Sequence, residues 1–170
     1  RATVIGASQY TVQVSGSTIY FDPPDILPIC NVPVIAPEIS IDDEIDSDIV
    51  SLQIKVALTQ MNLANSDQPI ALAVPWRGSA SFARLRGFAR GVLKGLADFA
   101  ERGHPVIMIV RGDIAGLLGI HLRVEEGFLG PIISIDGIEV SNFDFIDIGA
   151  VLKSTGSAPV VIKSLIFPSE

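Results

Sequence analysis

The 170-residue chain predicts a mixed α/β fold, a partly parallel sheet with flanking helices and a β-rich C-terminal part, and three observations carry that reading. Short apolar runs at 70–74, 106–110 and 132–135, the last interrupted only by Ser134, alternate with amphipathic stretches at 81–101 and 113–126, as a parallel sheet covered on both faces requires. From 137 to 168 no helical period survives, and Ile138, Val140, Phe143, Phe145, Ile146, Ile148 and the run 160–167 read as strands. The length is about that of one domain and suffices to bury ~70% of the unfolded surface without disulfides.

Taken in order, residues 1–21 read as a hairpin: Val12 and Val14 alternate ahead of Ser15-Gly16, and Thr18, Ile19, Tyr20 and Phe21 follow. Residues 22–40 hold Pro23, Pro24, Pro28, Pro33 and Pro37, which remove backbone donors too often for a central strand, so an extended connector is expected. Ser40 and Asp43 resemble a capping box. Beyond them Ile41, Ile45, Ile49, Leu52, Val56 and Leu63 recur at helical spacing, predicting a helix over 41–64 with these residues on its core face. The α/β core then occupies 41–136 and the β-rich tail 137–170 of a single domain. Because the chain starts at Arg1 and already reads as strand there, it is expected to begin inside a longer protein.

Hydrophobic residues make up 48% of the chain and charged residues 18%, below the usual ~25%, with a mean hydropathy of +0.48. Some apolar surface is therefore expected to meet something outside the chain. A net charge of -7 argues against a nucleic-acid or anionic-membrane binder, since both require a positive field. No apolar run approaches the ~20 residues that span a bilayer. The single Cys30 rules out an internal disulfide framework and a Cys-rich metal site.

Charge is divided along the chain. Residues 22–67 hold nine acids and only Lys55, net -8, whereas 77–123 hold eight Lys or Arg against Asp98, Glu101 and Asp113, net +5. Arg86, Arg90 and Lys94 fall at i, i+4 and i+8 on one helix face, which makes them a candidate docking patch for an acidic partner; the alternative is neutralisation by Asp98 and the acidic helix. Trp76-Arg77, just after a strand, is a second candidate partner contact, with a Trp covering the sheet edge as the alternative. Arg111-Gly112-Asp113 joins a strand to a helix where amides can hold a phosphate, yet neither GxGxxG nor GxxxxGK[ST] is present, and Asp113 reads better as an N-cap. His104 and His121 lack ligand-spaced partners. Glu44, Asp46 and Asp48 alternate as in a calcium loop, but Ile49 stands where that loop needs Gly. No Gly-x-Ser-x-Gly elbow exists. Neither a catalytic nor a metal site is expected.

Five segments in order carry a resemblance: RATVIGASQYTVQVSGSTIYF (1–21), DILPICNVPVIAP (25–37), GDIAGLLG (112–119), ISIDGIEVSNFDFIDIGAVL (133–152) and PVVIKSLIF (159–167). Together they resemble the C-terminal part of the ethanolamine ammonia-lyase reactivating factor family, EutA, departing at Ser8, Cys30 and Ser141-Asn142-Phe143. The resemblance implies one lobe of an actin/Hsp70-like ATPase that exchanges damaged cobalamin for intact adenosylcobalamin in ethanolamine ammonia-lyase, in the bacterial cytoplasm or in association with a microcompartment. It implies ATP and Mg for the full-length protein, with the phosphate motifs upstream of this chain and no cofactor or turnover in the chain itself. Its implied partners are the lyase and the protein's own N-terminal ATPase region, with homo-oligomers left open. The competing readings are a small independent α/β enzyme using the Gly112 turn for a phosphate ligand, and an oligomerisation module.

Overall fold

The computed structural model describes residues 7–166, which form one eight-stranded curled sheet with helices on one face. In chain order the elements are β1 (Ala7–Val14), β2 (Tyr20–Asp22), β3 (Ile29–Ile35), α1 (Ser47–Gln60), β4 (Ala71–Val74), α2 (Phe82–Gly95), α3 (Ala97–Glu101), β5 (Val106–Val110), α4 (Ala115–Ile120), a π-helical turn (His121–Glu125), β6 (Ile132–Asp136), β7 (Phe145–Ile148) and β8 (Pro159–Ile166). The order across the sheet is β1-β8-β7-β3-β4-β5-β6-β2. Its centre, β3-β4-β5-β6, is parallel; β7, β8 and β1 extend one side antiparallel and β2 the other.

Alternation along the central strands divides the core in two. Ile35, Leu72, Val74, Met108, Val110 and Ile132 meet Val50, Ile54, Phe88, Val92 and Leu118 of the helices. Val34, Ala71, Ile107, Ile109, Ile133 and Ile135 point the other way, onto Ile146, Ile148, Val160 and Ile162. Every residue of β5 and β6 is buried, which is why β5 is an unbroken apolar run and β6 one broken only by Ser134, whose hydroxyl donates to the Ala115 carbonyl, before Asp136 ends it. The second face is closed by the curl itself: the Ser15 amide donates to the Ala158 carbonyl at 2.9 Å and the Gly16 amide to the Asp136 carbonyl at 3.2 Å, returning the end of β1 to β6.

The mixed α/β class is thus as the sequence predicts, but four local expectations are corrected. Residues 1–21 do not form a hairpin in their described part: β1 pairs with β8 and β2 with β6, because each finds a longer apolar neighbour elsewhere in the sheet. The 22–40 connector contains β3. Its Pro33 is tolerated because it precedes the parallel ladder, which starts at Val34, and because a bulge between Ile29 and Val32, with Asn31 at φ 57°, resets the pairing to β7.

The third correction concerns α1, which begins at Ser47 rather than near 41. Asp46 is its N-cap, accepting from the Asp48 amide at 2.8 Å and the Ile49 amide at 3.4 Å. The carbonyls of Ile41 and Asp42, which a helix would use internally, instead accept from the Arg84 guanidinium. Moreover, the buried side of α1 is Val50, Ser51, Ile54, Ala57 and Leu58, while Ile49, Leu52 and Val56 are exposed. The fourth is that Ile114 rather than Asp113 occupies the N-cap of α4, with no side-chain hydrogen bond.

Helices α1 and α2 run side by side in the same direction at very close range. A Cβ added to Gly91 would lie 2.4 Å from the Val50 Cβ, and one on Gly95 2.9 Å from the Ile54 Cβ. Only glycine lets the backbone of α2 approach α1 this closely.

Candidate functional site

The carboxyl ends of β3, β4, β5 and β6 form one rim, the usual ligand position in an open α/β sheet. The loops that leave these strands meet there in a cleft of about 190 Å³, walled by Ala36, Pro37, Val74, Pro75, Ile138 and Val140. That is smaller than the ~300 Å³ at which small-molecule pockets commonly start. Arg111 Nη2 and Glu139 Oε1, both in its walls, pair at 3.0 Å while remaining largely exposed. At the end of β6, Asp136 is 4% exposed; its Oδ2 accepts from the Thr18 hydroxyl, and its Oδ1 has no partner among the described residues. Gly16 is packed so tightly against this carboxylate that a Cβ there would lie 2.6 Å from either oxygen.

Phosphate chemistry does not suit this rim as built. The arginine is already paired with a carboxylate, Asp113 adds a further acid at the turn, and α4 is only six residues long. Among the described residues no three His, Cys, Asp or Glu side chains gather in a way that would hold a metal ion. No nucleotide step is therefore assigned to these residues.

The helix layer holds the candidate partner contacts. Arg86, Arg90 and Lys94 all lie on exposed positions of α2. Two of them are paired within the chain: Arg90 Nε lies 3.0 Å from Glu126 Oε2, and Lys94 Nζ 2.8 Å from Asp48 Oδ1 on α1. Arg86 forms no ion pair among the described residues. Trp76 is not an exposed anchor, being only 6% exposed; its ring stands edge-on to Phe88 at 5.8 Å and its Nε1 donates to the Gly78 carbonyl at 3.2 Å. It covers the carboxyl end of the central strand β4 against α2, leaving Arg77 exposed beside it.

Two arrangements here are not anticipated by the sequence reading. Arg84 is buried and forms no ion pair among the described residues; its guanidinium donates to the carbonyls of Ile41, Asp42, Arg77 and Ser79 while lying 4.9 Å from the Trp76 ring centroid. It fastens the segment before α1 and the loop after β4 to α2. Its signal was position, four residues before Phe88 and hence on the buried side of α2. The second is Glu126, which accepts from Arg90 and pairs with His121 at 3.2 Å where the π turn meets α2. Burial pushes the Glu126 carboxyl upward, but the hydrogen bonds from Arg90 and His121 outweigh it and hold the group below the ordinary glutamate value of 4.5.

Against known proteins, the family model described as "Ethanolamine utilisation protein EutA" matches residues 1–168. The chain belongs to the EutA family. Ethanolamine ammonia-lyase reactivase EutA of Salmonella typhimurium (strain LT2) is 36% identical over 173 residues, covering 99% of this chain and 34% of that protein. The EutA of Escherichia coli (strain K12) that carries the same name is 37% identical over 172 residues, again covering 99% of this chain and 34% of the relative. This EutA-family chain therefore spans about a third of the length of the curated relatives it matches. No solved structure matches it significantly. No helix among its described residues is long and apolar enough to cross a membrane.

Proposed function

We propose that this chain is the C-terminal lobe of a reactivating factor for adenosylcobalamin-dependent ethanolamine ammonia-lyase, a chaperone-like protein that promotes ATP-dependent exchange of damaged cobalamin in ethanolamine utilization. The observation that carries the reading is the family match over residues 1–168, with two lyase reactivases 36% and 37% identical across the whole chain. The mixed α/β architecture is consistent with one lobe of an actin/Hsp70-like ATPase. In this reading ATP and Mg²⁺ are held by the remaining two thirds of the full-length protein, and the lobe converts nucleotide-driven closure into a changed contact with the lyase. A nucleotide moves a partner only if its two states contact that partner differently, so some surface of the machine must do this work. The reading places the protein in the bacterial cytoplasm, alone or with a microcompartment.

Of the residues singled out for the lyase contact, Arg77 and Arg86 are the cleanest to test, because both are exposed and neither forms an ion pair among the described residues. Reversing both to Glu in a full-length protein should abolish reactivation of cobalamin-inactivated lyase while leaving the thermal transition in place. Full reactivation by the double variant would remove this face from the contact.

A further inference from the structure

Helix α1 has two apolar faces. The inner one, Val50, Ile54, Ala57 and Leu58, fills the core; Ile49, Leu52 and Val56 lie nearly opposite at ~100° per residue, and they are 57%, 58% and 38% exposed. A helix that is apolar on opposite sides is ordinarily buried on both. This stripe, about 10 Å long from Ile49 to Val56 at ~1.5 Å per residue, is left uncovered by the described residues.

The surrounding charge specifies what fits. Asp42, Asp43, Glu44, Asp46 and Asp48 are all exposed at the N-terminal end of the stripe, and among the described residues only Asp48 has an ion-pair partner, Lys94. Lys55 alone adds a positive charge on the helix itself, on the flank of the stripe, and its last turn has no basic residue. A second copy of the chain is a poor occupant: α1 set antiparallel on α1 would bring each acidic end against Thr59 and Gln60, and each copy carries a net charge of -7. Anionic lipid and nucleic acid are repelled by the same charges.

We infer that the outer face of α1 docks a basic amphipathic helix of a partner protein, with apolar residues at i, i+3 or i+4 and i+7 on Ile49, Leu52 and Val56, and Lys or Arg over the acids at 42–46. The inference stands independently of the proposed lyase contact, which uses the opposite charge on a neighbouring helix.

The test uses the 170-residue chain and two fluorescent 18-residue helical peptides with the same Leu/Ile stripe, one bearing Lys and Arg at one end and the other Glu. The basic peptide should bind saturably, with amide shifts centred on 45–56 and affinity falling as salt rises, and at least tenfold more tightly than the acidic one. Leu52→Asp, a change at an exposed position, should weaken the basic peptide about tenfold or more, and D42N/D43N/E44Q should weaken it and flatten the salt dependence. Shifts mapping elsewhere, equal affinity for both peptides, or an unaffected Leu52→Asp variant would overturn the inference. So would concentration-dependent dimerisation abolished by Leu52→Asp, which would give the face to a second copy.

Discussion

Replacing Gly91 by Ala isolates the closest contact in the helix layer. On helix propensity alone the change should stabilise the chain by ~1 kcal/mol. The new Cβ would, however, lie 2.4 Å from the Val50 Cβ, 2.6 Å from its Cγ1 and 2.9 Å from the Ser47 carbonyl oxygen, against the ~3.5–4.0 Å of an ordinary carbon contact. A rotamer change cannot relieve this, because the nearest atom is fixed to the α1 backbone, so α1 itself must shift by about 1 Å or more. Overpacking of this kind costs ~1–3 kcal/mol, and the rigid neighbour puts this case at the upper end. The net loss should be about 2 kcal/mol, or about 4–8 °C in Tm for a chain of this size. Urea and thermal unfolding followed by circular dichroism measure it. Val50→Ala should fail to rescue Gly91→Ala, since it keeps the offending Cβ, whereas Val50→Gly should give a favourable coupling in a double-mutant cycle. A Gly91→Ala variant as stable as the parent, or more so, would refute the packing argument.

Other outcomes follow from named contacts. Asp46→Ala removes the N-cap of α1 and should cost about 1 kcal/mol by urea unfolding, with Asp46→Asn close to neutral. Arg84→Lys should destabilise nearly as much as Arg84→Met, because one ammonium cannot reach the four carbonyls the guanidinium serves; a Lys variant with the parental Tm would contradict this. Glu126 is held below its ordinary value of 4.5, so its contribution is present above that pH and is lost as pH falls below it. Glu126→Gln should therefore lower stability at pH 7 and flatten the decline as pH falls below about 4.5, read from urea midpoints across pH.

How far the sequence foretells this molecule depends on whether a segment's partner is local. β5 and β6 are legible because both their faces are buried, so β5 is wholly apolar and β6 is interrupted within its apolar run by Ser134 alone. β1 and β2 are not: Ser15-Gly16 looks like a hairpin turn, and only the curl of the sheet sends β1 to β8 and β2 to β6, partners more than 100 residues away. The apolar period at Ile49, Leu52 and Val56 is real, but period alone does not say which of two apolar faces goes inward. The glycines of α2 settle that, by pulling Val50 and Ile54 against their backbone. Of the candidate contacts, the sequence places Arg86, Arg90 and Lys94 together on one helix, and it leaves open the pairing of Arg90 with Glu126 and of Lys94 with Asp48 because those acids come from other elements. Trp76 after a strand reads equally as anchor or cover, and burial decides for cover.

The central proposal is that this chain acts by contact with ethanolamine ammonia-lyase and leaves the nucleotide chemistry to the rest of the full-length protein. Titration of the purified 170-residue chain into inactivated lyase, followed by calorimetry with ATP present and absent, tests it most directly. The account expects saturable binding, nucleotide-independent for the isolated lobe, with no ATP turnover. An undetectable interaction at high micromolar concentration, or hydrolysis of ATP by the chain at an enzymic rate, would contradict it.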